Sequence, residues 1–280
     1  MPTFALDNLD QALQELPSLS VIVVQALDLL AQEDVSMGKV MACVSRDQSL
    51  VGRILKVANS PFYGMSTNIA SLKDAATILG IHSLYHIIAS SAVIAHFPDD
   101  TETALSPLEF WQHSINVGVC AQVLSRKCNV DSELAFTTGL LHDVGRLVTA
   151  VHYSEQYNEI QRYVEQQGCS LTDAEKAVLG LDHTKIGAAI IRQWHLPETI
   201  AISIENHHAP AQQPELRLAS LVHLADVISH GLGVDSCACG APMPRLDPLV
   251  LQWLGLSWDN LRDSLPEIDD LNESASELIA

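Results

Sequence analysis

The sequence predicts an all-α protein built as two helical lobes. Three observations carry that prediction. Apolar residues recur at spacings of three and four nearly throughout. Helix start signals recur at intervals that suit short connections. No run alternates with the period of two that a half-buried strand requires. The chain is 48% hydrophobic and 18% charged, an ordinary globular composition. Its 280 residues can form one large domain or two lobes sharing a core.

Pro17 and Ser18 introduce a first helix that ends near Gln32, with Leu19, Val23, Ala26, Leu27 and Leu30 in one stripe. A second helix is expected from Ser36 to Arg46, with Val40, Met41 and Val44 inward. A third begins after Asp47 and carries Leu50, Ile54, Leu55 and Val57. Asn59-Ser60-Pro61 ends it, because proline disfavours helical geometry at the preceding residue. Ser71 and Asp74 form a capping box, and Gly80 suits the close of that helix. Another helix follows to about His96, then a polar loop from Pro98.

Ser106-Pro107-Leu108-Glu109 is the strongest start signal, with an N-cap serine, proline at the first helical position and glutamate at the third. The lobe boundary is placed here. It divides residues 1–105, a second lobe over 106–235, and a C-terminal helical extension over 236–280. Helices are expected at roughly 107–127, 132–151, 154–167, 172–181, 184–194, 197–206 and 216–230. Thr172 and Glu175 are read as a further capping box. The acidic, amphipathic stretch Asp259 to Glu277 is read as a solvated closing helix, with a partner-binding tail as the alternative.

The net charge of −19 opposes phosphate backbones, so direct nucleic-acid binding over a broad basic face is not expected. Met1 to Asp10 lacks the pattern of a signal peptide, and no apolar run has membrane-spanning length. These features lead to the expectation of a soluble cytoplasmic protein. Cys43, Cys120, Cys128 and Cys169 lie in helix-like patterns, as buried thiols do in a reducing compartment. Cys237-Ala238-Cys239 lacks a second cysteine pair at zinc-site spacing, so it is read as a loop with two thiols.

The residues able to carry chemistry lie in the second half. His142 and Asp143 sit in Gly139-Leu140-Leu141-His142-Asp143-Val144-Gly145, read here as mid-helix and buried on most faces. A buried carboxylate must pair with a cation or bind a metal. Gly139 and Gly145 permit close approach of other backbone. His113 lies on the stripe Phe110, His113, Val117, Cys120 and Leu124. Asp226 lies inside an apolar helix. Singly, an inward histidine is usually a hydrogen-bonded core residue, and an inward aspartate usually has a basic partner. Together they make a donor set suited to a divalent ion such as iron, manganese, zinc or nickel. His183, His207 and His208 can extend it, since adjacent helical residues diverge by about 100° and can face different ions.

The order His113, His142-Asp143, Asp226 on separate helices is similar to the ligand pattern of HD-type domains. Further motifs resemble the HDOD family: Leu16-Pro17-Ser18-Leu19, Ser45-Arg46-Asp47-Gln48-Ser49-Leu50, Lys56-Val57-Ala58-Asn59-Ser60-Pro61-Phe62-Tyr63-Gly64, and Ile69 through Gly80. In the second half, Gly139 to Gly145 and Trp194-His195-Leu196-Pro197 through His207-His208 continue the resemblance, which covers roughly residues 10–235. It implies an HD-type helical bundle in the second lobe and a bacterial regulatory protein that acts with a signalling partner. Asn59, Ser60, Phe62 and Tyr63 are candidates for the partner surface.

The related HD-GYP phosphodiesterases are the nearest enzymatic comparison. This chain departs from them where Arg146 replaces their lysine, and where Ala209-Pro210 follows the histidine pair without a Gly-Tyr-Pro motif. Hydrolysis of cyclic di-GMP is therefore not expected. A regulatory module with a retained metal site is preferred. The alternative is a metal-dependent phosphohydrolase in which Asp143, Arg146 and Lys185 act on a phosphate-containing ligand.

Overall fold

A computed structural model describes residues 19–30, 32, 36–59, 69–96, 105–210, 215–233 and 242–275. Every regular element among the described residues is a helix. In the first lobe these are α1 (Val21–Leu30), α2 (Met37–Val44), α3 (Gln48–Ala58) and α4 (Leu72–His96). The α1 stripe is buried as the spacing predicts. Asp47 caps α3 by accepting from the Leu50 amide at 3.0 Å. Ser71 and Asp74 close the expected box, with Ser71 Oγ donating to Asp74 Oδ2 at 2.7 Å. Gly80 breaks the long α4 at φ 81° and ψ 175°, a conformation glycine adopts without Cβ strain.

The second lobe begins at α5 (Pro107–Cys128), capped by Ser106 with proline in the first turn. It continues through α6 (Ser132–Leu141), α7 (Val144–His152), α8 (Ser154–Gln167), α9 (Leu171–Leu179), α10 (His183–Gln193), α11 (Glu198–Asn206) and α12 (Arg217–Gly231). Helices α13 (Val250–Leu254) and α14 (Trp258–Ala275) complete it. α5 is the axle: α6, α12 and α14 all pack on it. It is consequently buried on nearly every face from Phe110 to Ser125, polar Ser114, Asn116 and Gln122 included. α4 packs against α6, so one apolar core runs through both lobes.

Three expectations need correction. The single helix expected over 132–151 is two, separated by a turn at His142 and Asp143, so the pair lies at a helix break and not mid-helix. The capping box at Thr172 is shifted: Ser170 is the N-cap and bonds the Asp173 amide and carboxylate, which frees Glu175 to turn inward. The closing helix is not merely solvated, because Leu261, Ser264 and Ile268 are buried where it packs on α5. Cys43, Cys120 and Cys128 are buried free thiols on helices, while Cys169 is half-buried in the connection between α8 and α9. Cys237 and Cys239 lie outside the described residues. No described helix is long and apolar enough to cross a membrane.

Candidate metal centre

Two glycine contacts bring the ligand-bearing segments together. A Cβ on Gly145 would fall 2.1 Å from the backbone oxygen of His183. Only a hydrogen fits there, so α7 and α10 meet backbone to backbone just beyond Asp143 and His183. A Cβ on Gly139 would fall 2.8 Å from the Cα of Gly118, which locks α6 onto α5 beside His113 and His142.

The helix break at His142 and Asp143 has a local cause. Asp143 occupies the N-cap position of α7 at φ −104° and ψ 11°, yet its side chain makes no capping bond. Oδ2 accepts from Arg146 Nη1 at 2.5 Å, and Oδ1 faces the cluster. Oδ1 lies 3.2 Å from His183 Nε2, 3.6 Å from His142 Nε2 and 3.9 Å from His207 Nε2. Asp226 Oδ1, on α12, lies 3.3 Å from His113 Nε2 and 3.7 Å from His142 Nε2. His208 Nε2 lies 3.1 Å from His183 Nε2. All seven residues proposed as ligands from the sequence thus fall in one cluster, buried except for half-buried His208.

The donors fall into overlapping groups whose ligand atoms lie within 4.8 Å of one another. Asp143, His183, His207 and His208 form one; His113, His142 and Asp143 form another, continued by Asp226. Asp143 belongs to both of these, and His142, His207 and Asp226 form a further group that overlaps them. This arrangement fits divalent cations better than hydrogen bonding alone. His142 Nε2, His207 Nε2 and Asp143 Oδ1 are buried without a well-formed hydrogen bond, a costly state for polar atoms inside a protein. The opposite ring nitrogens explain their orientation. His142 Nδ1 faces the Gly139 carbonyl at 2.7 Å, and His207 Nδ1 faces the Ile204 carbonyl at 2.7 Å. A carbonyl only accepts, so each Nδ1 carries the proton and each Nε2 presents a lone pair to the cluster.

Electrostatics agree. Burial, with His142 and His183 nearby, pushes His207 down to about 3, and burial also depresses His142 and His208. Neutral imidazoles of this kind are ready ligands. Burial alone would raise the Asp143 carboxyl, but His142, Arg146 and His183 outweigh it and hold it well below the carboxylate range. Asp226 is held down in the same way against burial, chiefly by His113 and His230. His183 is the exception: burial would lower it, but Glu175 and Asp143 push it up to about 10.

Two contributors escaped the sequence reading. His230 sits one turn after Asp226, with Nδ1 3.0 Å from Asp226 Oδ1, and shares a group with His113 and Asp226. The i,i+4 spacing of Asp226 and His230 was the available signal. Glu175 Oε2 accepts from both the amide and Nδ1 of His183, at 2.9 and 2.7 Å. It steers the His183 Nε2 toward the cluster as an outer-shell carboxylate does. Glu175→Gln is expected to weaken metal affinity by roughly 10–100-fold while leaving the fold intact. Competition with a chromogenic chelator, alongside circular dichroism, measures both.

The remaining candidates separate. Arg146 is buried against Asp143 and lines a cavity that opens onto the cluster. Lys185 does not: it lies two residues after His183, roughly 200° round the helix, and is exposed on the far side. Asn59 is taken up structurally, because its side chain donates to the carbonyls of Leu55 and Ile69 and accepts from the Ile69 amide. Ser60, Phe62 and Tyr63 lie outside the described residues.

The cavity over the cluster holds about 420 Å³. Asp143, His183, His208, Asp226 and His230 of the cluster line it, together with Arg146, Ser170, Thr172 and Arg245. The ligand cluster is therefore not sealed, unlike a purely structural metal site.

Comparison with known proteins follows the same lines. An uncharacterised protein of Treponema pallidum (strain Nichols) is 25% identical over 213 residues, covering 75% of this chain and 40% of that protein. Ribonuclease Y of Lactobacillus gasseri is 25% identical over 186 residues, covering 66% of this chain and 27% of that enzyme. The chain thus spans less than half the length of these curated relatives. Among solved structures, a protein of Shewanella amazonensis SB2B provisionally named a phosphohydrolase superposes with a TM-score of 0.80 at 24% identity, covering 97% of this chain and 98% of that one. An HDOD domain protein of unknown function from Geobacter sulfurreducens gives 0.77 at 22% identity, covering 98% and 99%. Both show a shared helical fold. The HDOD domain model itself matches residues 16–210, a span that takes in the first-lobe motifs and every cluster residue except Asp226 and His230. With most of its length inside that match, the chain belongs to the HDOD domain family.

Proposed function

We propose that this protein is a bacterial signal-transduction module whose second lobe holds a pair of divalent ions and binds a phosphate-containing ligand over them. One observation carries the reading. Among the buried polar atoms left without a well-formed hydrogen bond, His142 Nε2, His207 Nε2 and Asp143 Oδ1 converge on one cluster of histidines and aspartates. His113, His142, Asp143 and Asp226 would hold one ion, and Asp143, His183, His207 and His208 the other. Arg146 neutralises one Asp143 oxygen and fixes the other toward the cluster. The segment containing Ser60, Phe62 and Tyr63 is the proposed contact for a signalling partner.

A second reading, metal-dependent hydrolysis of a phosphate ester, is favoured by the open cavity of about 420 Å³ above the donors. Divalent ions would there offset phosphoryl charge and make bound water acidic. Ribonuclease Y and the provisionally named phosphohydrolase lend this reading context only.

Stripping the protein with a chelator is expected to lower its melting temperature, and manganese, iron, zinc or nickel to restore it. Millimolar inorganic phosphate should then raise the melting temperature of the loaded protein and leave that of the stripped protein unchanged. Cyclic di-GMP is expected to survive incubation with the loaded protein. Turnover of another phosphate ester that vanishes in Asp143→Asn would establish the second reading over the first.

A further inference from the structure

Part of the cavity lining comes from an unexpected part of the chain. Pro242, Met243, Pro244 and Arg245 line it, although they lie beyond the HDOD match and follow α12. The segment 242–247 contains no regular secondary structure, and its two prolines each fix φ near −65°. A strap so constrained has little conformational freedom to lose when a ligand binds.

His223 fastens that strap to the metal-binding lobe. Its Nε2 accepts from the Asp247 amide at 3.1 Å, so that nitrogen carries no proton. Its Nδ1 therefore carries one, and it donates to the His207 carbonyl at 2.8 Å. Both ring nitrogens are used. His223 is consequently no ligand, although it lies one turn before Asp226 and lines the cavity. It joins the backbone behind a candidate ligand to the backbone of the strap.

Arg245 is a feature of the strap that fold stability does not explain. It is exposed and has no ion-pair partner among the described residues, in a chain of net charge −19. Carboxylates are abundant, yet Arg245 pairs with none of the described ones and lines the cavity. Arg146, the other cavity arginine, is already paired with Asp143. Leu171, Met243 and Pro244 supply apolar surface to the same cavity.

We propose that the strap is a ligand-selecting element, in which Arg245 binds a second anionic group of the ligand while the metal cluster binds the first. His223 is the positioning residue that sets the strap. The ligand class is then an organic phosphate with two anionic centres, a diphosphate or a bisphosphate, and not a simple monoester. The inference rests on the phosphate-binding reading of the metal centre.

The test uses metal-loaded full-length protein and two probes, inorganic phosphate and pyrophosphate, each titrated by calorimetry. Pyrophosphate is expected to bind more tightly than phosphate. Arg245→Ala should weaken pyrophosphate roughly tenfold, the loss of one charge-assisted contact, and leave phosphate affinity and metal content unchanged. His223→Ala should remove the same preference, and adding Arg245→Ala to it should have no further effect. His223→Gln, which can still donate and accept, should restore part of it. A purely structural role for His223 would not produce that non-additivity. Equal binding of the two probes by the parent protein, or equal weakening of both by Arg245→Ala, overturns the strap proposal alone. Failure of both probes to bind the loaded protein overturns the phosphate-binding reading and the strap proposal with it.

Discussion

Asp143→Ala is expected to abolish metal binding and to lower the melting temperature by roughly 10 °C or more. The first effect follows from geometry, since Asp143 belongs to two of the four donor groups and is the sole carboxylate in each of them, so its loss leaves His183, His207 and His208, and His113 and His142, without a carboxylate in their groups. The second follows from Arg146, which is buried and bonded to Asp143 Oδ2. Breaking a buried pair leaves an uncompensated charge and costs about 3–5 kcal/mol, at about 2–4 °C per kcal/mol for a chain of this size. The two effects can be separated. The double variant Asp143→Ala, Arg146→Met should recover much of the stability and none of the metal. Differential scanning fluorimetry with elemental analysis of each variant checks both. If the double variant is no more stable than Asp143→Ala alone, the buried-charge explanation fails.

Gly145→Ala should be the most damaging of the helical glycine substitutions. Its new Cβ would lie 2.1 Å from the His183 backbone oxygen, and backbone cannot swing aside as a side-chain tip can. Helices α7 and α10 must separate, which costs about 1–3 kcal/mol or more in strain. Asp143 and His183, held 3.2 Å apart by that contact, must separate with them. Metal affinity should therefore fall further than stability alone explains. Gly52→Ala is the control: that glycine lies within α3 with open space around its Cβ position, so alanine should be neutral or stabilising by up to about 1 kcal/mol. Comparable losses in the two variants would remove the case for α7–α10 contact as the device that assembles the centre.

The same two positions show what the sequence made legible. Gly145 next to His142-Asp143 already indicated close backbone approach, and the structure supplies the partner. The stripe carrying His113 indicated an inward ring, although α5 turned out to be buried almost all round, so the stripe singled out no special face. Capped helix starts at Asp47, Ser71 and Ser106 were readable because the cap is local: serine or aspartate and the amide it receives are three residues apart. The helix break at His142 was not readable in this way. It depends on Asp143 giving its carboxylate to Arg146 and the cluster instead of to its own helix, and the cluster residues His183 and His207 lie on segments far along the chain from it. Glu175 was hidden by a plausible cap at Thr172 that Ser170 in fact provides. His230 and the strap at Arg245 were missed for a related reason, since both gain meaning only when α12 and the following segment fold over a cavity that does not exist in the sequence.

The central claim is that the converging histidines and aspartates are a metal centre and not a set of core hydrogen bonds. Elemental analysis of protein purified without a metal-affinity tag addresses it most directly. The account predicts one to two equivalents of a divalent transition metal per chain, lost in Asp143→Ala. Protein that purifies metal-free, and whose melting temperature does not rise on adding iron, manganese, zinc or nickel, would contradict it.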